Sequence, residues 1–250
     1  MKRREFLKGT VIAGAGLSAG ALLGHAGVDT LKVARQSSEG AAKLSPPATG
    51  KILVAFPISE DVQVIDMAGP WEVFQDVMIQ EGPHEQGMDH RMPFELYTVA
   101  ESKDIVEATG GMKIVPNYTF ADAPNPKIVV VAAQHGSDAL RAWLKKVAAN
   151  SGTDVVASVC TGAFQLAAAG LLNGKSATTH HQGLKSLQAQ YPDIHVKGGL
   201  RFVDAGKIAT AGGLTSGIDL ALHVVERYYG RAAAQQTAEF MEYQSKAWIA

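Results

Sequence analysis

Short unbroken apolar runs and longer periodic ones divide this chain. Residues 51–56, 128–131 and 155–159 are almost wholly apolar, with no polar alternation. That pattern marks strands covered on both faces, as in the middle of a parallel sheet. The periodic segments lie between and after them. From Ala68, a helix is predicted by Trp71, Phe74, Val77 and Met78 on one face, with Pro70 tolerated early. Residues 138–149 carry Leu140, Trp143, Leu144 and Val147 on one side. Further helices are predicted over 162–169, 218–229 and 231–248, and shorter strands over 94–100, 112–115, 176–180, 194–196 and 207–211. Strands alternating with helices predict an α/β domain with a doubly wound, mostly parallel sheet, whose ligands bind at the C-terminal strand edge.

The first 50 residues do not follow this pattern. Arg3-Arg4, then Phe6-Leu7, then a small, uncharged apolar stretch over 9–24 form a bacterial twin-arginine (Tat) export signal. The stretch is short and rich in Gly and Ala, which argues against a permanent membrane anchor. The expected division is a signal peptide over 1–26, a flexible linker over 27–50 and one domain over 51–250. The Tat route carries folded proteins, so the expected location is the periplasm or the outside of the cell. The export machinery is then a transient partner, with no membrane span left after cleavage.

Composition adds exclusions. The 250 residues carry a net charge of −1, which does not suit a nucleic-acid binder. One cysteine permits neither an internal disulfide nor a multi-cysteine metal site. His84 and His90, in the polar stretch 82–93, match no common zinc spacing. The predicted last helix is too short to be a DNA-binding domain.

The chemistry centres on that cysteine. Cys160 follows a predicted buried strand and precedes a predicted helix, with Ser158 and Gly162 two residues either side. This is the layout of a nucleophile elbow, where a sharp turn tolerates only small neighbours. A helix start beside the sulfur favours thiolate, and the N–H groups of Thr161 and Gly162 suit a developing anion. The same segment also suits a buried structural cysteine. Asp66 stands at the first strand's C-terminal edge, as a helix cap or as a carboxylate delivered to Cys160. His135 is a loop histidine or an active-site base. His180, with His181 beside it, is a partner for the cysteine or a loop histidine.

Four segments, in order, carry a family resemblance. They are residues 66–74, beginning Asp66-Met67-Ala68-Gly69-Pro70; 158–163, around Cys160-Thr161-Gly162; 170–180, ending Thr178-Thr179-His180; and 211–219, around Gly212-Gly213-Leu214-Thr215. Together they resemble the DJ-1/PfpI superfamily over about residues 51–243. The nearest branches are the isonitrile hydratases and the similar ligand domains of AraC-type regulators. The resemblance implies a flavodoxin-like, three-layer α/β/α sandwich and a homodimer. It also implies that Cys160 is the nucleophile, Asp66 its acidic partner and Thr161 an accessory group. His180 matches a histidine that is catalytic in some members only. Where the family usually has Pro-Gly-Gly, this chain has Ala132-Ala133-Gln134 followed by His135. The backbone donors there, Gln134 included, are therefore altered.

The expected activity is hydration of a small electrophile, an isonitrile becoming an N-substituted formamide. Cys160 adds to the carbon as a thiolate, Asp66, protonated beside it, donates the proton, and no cofactor or metal takes part. The alternatives are a glyoxalase or deglycase using Cys160 with His180, and a non-catalytic sensor of a small molecule or of oxidation.

Overall fold

Helices cover both faces of the strands that lack polar alternation. A computed structural model describes residues 37–38, 42–80 and 90–249. In chain order its main elements are β1 (Ser37–Ser38), β2 (Ile52–Pro57), α1 (Val64–Gln75), β3 (Phe94–Ala100), β4 (Tyr118–Thr119) and β5 (Ile128–Val131). They continue with α2 (Asp138–Ala149), β6 (Val155–Ser158), α3 (Gly162–Ala168), α4 (Leu184–Gln190), β7 (Phe202–Ala205), β8 (Ile208–Ala211), α5 (Ser216–Tyr229) and α6 (Arg231–Phe240). The strands form one sheet in the order β1-β7-β8-β6-β5-β2-β3-β4. Every pairing is parallel except that of β7 with β8.

Period-two alternation sorts the strand residues between two cores. Ile52, Val54, Phe56, Ile128, Val130, Val155 and Ala157 face α1, α5 and α6. Ala55, Val129, Val131 and Val156 face α2, α3 and α4. The result is the expected three-layer, mostly parallel sandwich. Chain order reverses between β2 and β5, and ligands of doubly wound sheets bind outside strand ends at such a point. The loops after β2, β5 and β6 all leave from that edge.

Several expectations change in detail. β7 was absent from the sequence reading. It pairs antiparallel with β8 across a two-residue turn whose first residue, Gly206, has φ 91, the left-handed region open to glycine. Helix α1 begins at Val64, ahead of the expected Ala68, so Asp66 lies in its first turn. The strand expected over 176–180 is only Ser176–Ala177, and α6 ends at Phe240, well before 248. Residues 1–36, with the expected export signal, and 81–89, with His84, lie outside the described residues. The expected linker is tied down in part. The Leu44 N–H donates to the Arg227 carbonyl at 2.8 Å, and Arg227 Nε donates to the Ala42 carbonyl at 3.2 Å. Leu44 itself packs against the core of the α5 side. Among the described residues, no helix is long and apolar enough to cross a membrane.

Candidate active site

Cys160 leaves the end of β6 at φ 57, a left-handed conformation costing a non-glycine residue of order 1–2 kcal/mol. Neighbouring groups hold it there. Its N–H donates to the Gly212 carbonyl at 2.7 Å, and its carbonyl accepts the Thr179 hydroxyl at 2.7 Å. The glycine two residues on has a packing reason. A Cβ on Gly162 would lie 2.1 Å from the Val131 carbonyl oxygen, so only glycine lets α3 start this close to β5. Ser158 is fully buried, which explains the small residue on the other side.

Asp66 is fully buried and does not cap its helix; the cap position is Gln63, without a side-chain bond. Asp66 Oδ2 instead accepts the Ala133 N–H at 3.2 Å, from the loop after β5. Oδ1 is sealed from solvent and has no hydrogen-bond partner of normal geometry among the described residues. Burial pushes this carboxyl up to about 6, against the pull of the Ala133 N–H, the Cys160 thiol and the Leu214 N–H.

Cys160 departs from the expected thiolate. Burial first, and the Asp66 charge second, push its thiol up to about 11. The N–H groups of Thr161 and Leu214 and the Thr161 hydroxyl only partly oppose this. The helix start adds little because its donors are engaged: the Gly162 N–H donates to the Val159 carbonyl at 3.0 Å. Between these two values the pair holds one proton, for which the sulfur is the stronger base. Of the expected anion-binding groups, the Thr161 N–H therefore faces the sulfur and the Gly162 N–H does not.

The loop 132–136 is braced from both sides. Gln134 accepts the Ser59 hydroxyl at 2.8 Å and donates from Nε2 to the Pro57 carbonyl at 3.0 Å. Gln165 Nε2 donates to the His135 carbonyl at 3.1 Å. Leu214, Ser59 and Gln165 were not foreseen. Leu214 stands at φ 54, and only its place after two glycines hinted at an unusual backbone.

Each histidine has partners of its own. His135 is exposed, with Nε2 3.5 Å from Asp61 Oδ2, so the structure does not bring it into the site. His180 opens a short helical turn, and its Nδ1 accepts the Gln182 N–H at 3.3 Å. Its ring centroid lies 4.2 Å from that of His181, the two planes tilted by 40°. Burial and the neighbouring His181 lower its pKa, which favours the neutral ring. Among the described residues it makes no hydrogen bond to the Cys160 thiol.

Residues 52–227 match the DJ-1/PfpI family. The chain belongs to that family. It is 32% identical over 199 residues to isonitrile hydratase of Pseudomonas putida, covering 76% of this chain and 78% of that one. It is 33% identical over 141 residues to the HTH-type transcriptional regulator CdhR of Pseudomonas aeruginosa, but covers 40% of that protein. Among solved structures it resembles a ThiJ/PfpI family protein of Pseudomonas syringae, with TM-score 0.66, 24% identity and 90% and 83% coverage. Drosophila melanogaster DJ-1beta superposes with TM-score 0.63 at 15% identity, covering 78% of this chain and all of that one, a likeness of fold.

Within the family frame, Ala133 occupies part of the usual Pro-Gly-Gly segment, and its N–H serves the Asp66 carboxylate. A cleft of about 370 Å³ opens beside the elbow, lined by residues 178–181, 199–201 and 212–216 and by Leu184. Gly212, whose carbonyl holds the Cys160 N–H, joins that cleft to the elbow.

Proposed function

We propose that this chain is a cysteine-dependent hydratase of a small electrophilic carbon, of the isonitrile type. One observation carries the reading. A fully buried carboxyl lies against the elbow thiol, and burial pushes the carboxyl up to about 6 and the thiol up to about 11, so the carboxyl gives up its proton before the thiol does. In the proposed reaction Asp66 takes the thiol proton as sulfur adds to the isonitrile carbon. It then delivers that proton to the same carbon, giving a thioimidate, R–N=CH–S–Cys160. Water adds across the C=N bond with Asp66 again moving the proton. Collapse releases the formamide R–NH–CHO and restores the thiol. The sum is one isonitrile plus one water, with no electrons gained or lost. The Thr161 N–H and hydroxyl stabilise sulfur while it carries negative charge. The 32% identity to an isonitrile hydratase supports the same reading.

A glyoxalase relying on His180 to activate Cys160 has less support, because no bond joins the two. The test uses the purified protein with a phenyl isocyanide and with methylglyoxal. Formamide production that Cys160→Ala abolishes and His180→Ala largely spares is the expected result. Turnover of methylglyoxal alone, lost in His180→Ala, would replace the hydratase with the glyoxalase. The same proposal places the enzyme outside the cytoplasm, from its twin-arginine start, and pairs it with a second copy, which light scattering on the mature protein tests.

A further inference from the structure

The cleft beside the elbow has a one-sided chemistry. Its charged or chargeable lining is Arg201, His180 and His181, and no carboxylate lines it among the described residues. The nearby acid, Asp219, is fully buried. Asp219 acts as a clamp. Oδ2 accepts Arg201 Nε at 2.7 Å and the Tyr243 hydroxyl at 3.0 Å, while Oδ1 accepts the Ser245 hydroxyl at 2.8 Å. Arg201 Nη2 donates to the Thr215 hydroxyl at 3.1 Å and the Tyr243 hydroxyl at 3.3 Å. Burial and Asp219 raise the Tyr243 pKa, so this hydroxyl keeps its proton. Every one of these bonds uses Nε or Nη2. Among the described residues, Nη1 has no partner. The guanidinium is thus fixed along one edge, and its side chain stays 35% exposed. A pre-positioned guanidinium with a spare pair of donors suits a carboxylate better than a neutral group.

Register places this donor relative to the sulfur. The Gly212 N–H donates to the Arg201 carbonyl at 2.8 Å, and the Cys160 N–H donates to the Gly212 carbonyl at 2.7 Å. Arg201, Gly212 and Cys160 are therefore neighbours across three adjacent chain segments at one sheet edge. At the usual spacing of about 4.8 Å, Arg201 and Cys160 backbones stand about 10 Å apart. Leu184 and Leu200 add apolar lining to the space. A small molecule spanning it would put a reactive carbon at one end and an anion at the other.

We propose that the substrate is an isonitrile bearing a carboxylate, held by Arg201 while its isonitrile carbon meets Cys160. The inference rests on the hydratase reading for the reaction but not for the binding. Arg201 is a binding residue, and Asp219 positions it. The neutral His180 ring and the Thr178 and Thr215 hydroxyls complete a cleft without negative charge.

The test compares 4-isocyanobenzoate with its methyl ester, and the product 4-formamidobenzoate with its own methyl ester. With the intact wild-type protein, kcat/KM should favour the acid over the ester by about tenfold, the scale of one charge-assisted contact. Calorimetric titration should show 4-formamidobenzoate binding more tightly than its ester. Arg201→Lys keeps the charge against Asp219 but has no second nitrogen to offer a ligand once that pairing is made, and should bring both preferences to within about threefold. Equal hydration and equal binding of acid and ester by the wild type would overturn the inference and leave the hydratase reading standing. No hydration of either isonitrile, with binding of 4-formamidobenzoate still preferred and still dependent on Arg201, would uphold the site and remove the reaction. An acid preference unchanged in a folded Arg201→Lys would assign Arg201 to structure alone.

Discussion

Asp66 is held in the fold against its own solvation. Its ordinary carboxyl value is 3.8 and its value here is about 6. Between those values the folded protein keeps a proton that the unfolded chain releases. Stability therefore falls as pH rises through that window, by up to about 3 kcal/mol if the whole difference acts. Asp66→Asn keeps the shape and removes the buried charge. It should lose ~10²–10⁴-fold in turnover, as expected when a proton shuttle is deleted, and melt no lower than wild type at neutral pH. Its stability should also become flat between pH about 4 and about 6. A lower melting temperature would assign Asp66 to holding the loop after β5 through the Ala133 N–H. The same carboxylate sets the acid limb of the rate. It must be ionised to accept the Cys160 proton, so kcat/KM should fall as pH drops through about 6 and hold level above it. A limb that survives unchanged in Asp66→Asn would belong to another group.

At the scale of elements, the close approach of α3 to β5 decides whether the elbow forms. Gly162→Ala would drive a Cβ against the Val131 carbonyl at 2.1 Å, a backbone atom that cannot swing aside. The expected outcome is a loss of about 3 kcal/mol in denaturant titration together with lost turnover. Gly174→Ala makes a useful contrast, since no atom lies within 4 Å of its Cβ position, although its φ of 70 still strains alanine. This contact also shows what the sequence exposed. Ser158 and Gly162 announced the elbow because crowding excludes larger residues, and β5, β6 and α2 were legible because their burial is continuous or periodic. β7 was hidden because it sets Asp204 in the interior, where its Oδ2 lies 2.9 Å from His223 Nε2 and accepts Arg227 Nη1 at 3.1 Å. A buried polar network looks polar in sequence while packing like core. The raised thiol value was equally illegible. It depends first on the burial of the sulfur and then on Asp66 lying against Cys160 across the sheet edge. Leu214 and Arg201 reach the site through the turn and register of β7 and β8, which no local pattern records.

For the whole molecule, the segment before β2 belongs to the fold more than its small and polar composition suggested. Arg227, buried in α5, grips the Ala42 carbonyl, and Leu44 seats on the core. The proposed export signal carries a prediction of its own. Replacing Arg3 and Arg4 by lysine should leave full-length protein in the cytoplasm, measured by fractionation and immunoblot; periplasmic recovery of the double variant would refute the twin-arginine reading. The solitary, inward-facing Cys160 has a last consequence. The molecule has one sulfhydryl, and it lies at the proposed reactive centre. Any mass added at a thiol is thus added there. Weighing intact protein quenched during turnover would count the fraction carrying substrate, without digestion or isotopes. Capping that one atom would give an inert twin, alike in sequence and surface, as a control for every binding measurement.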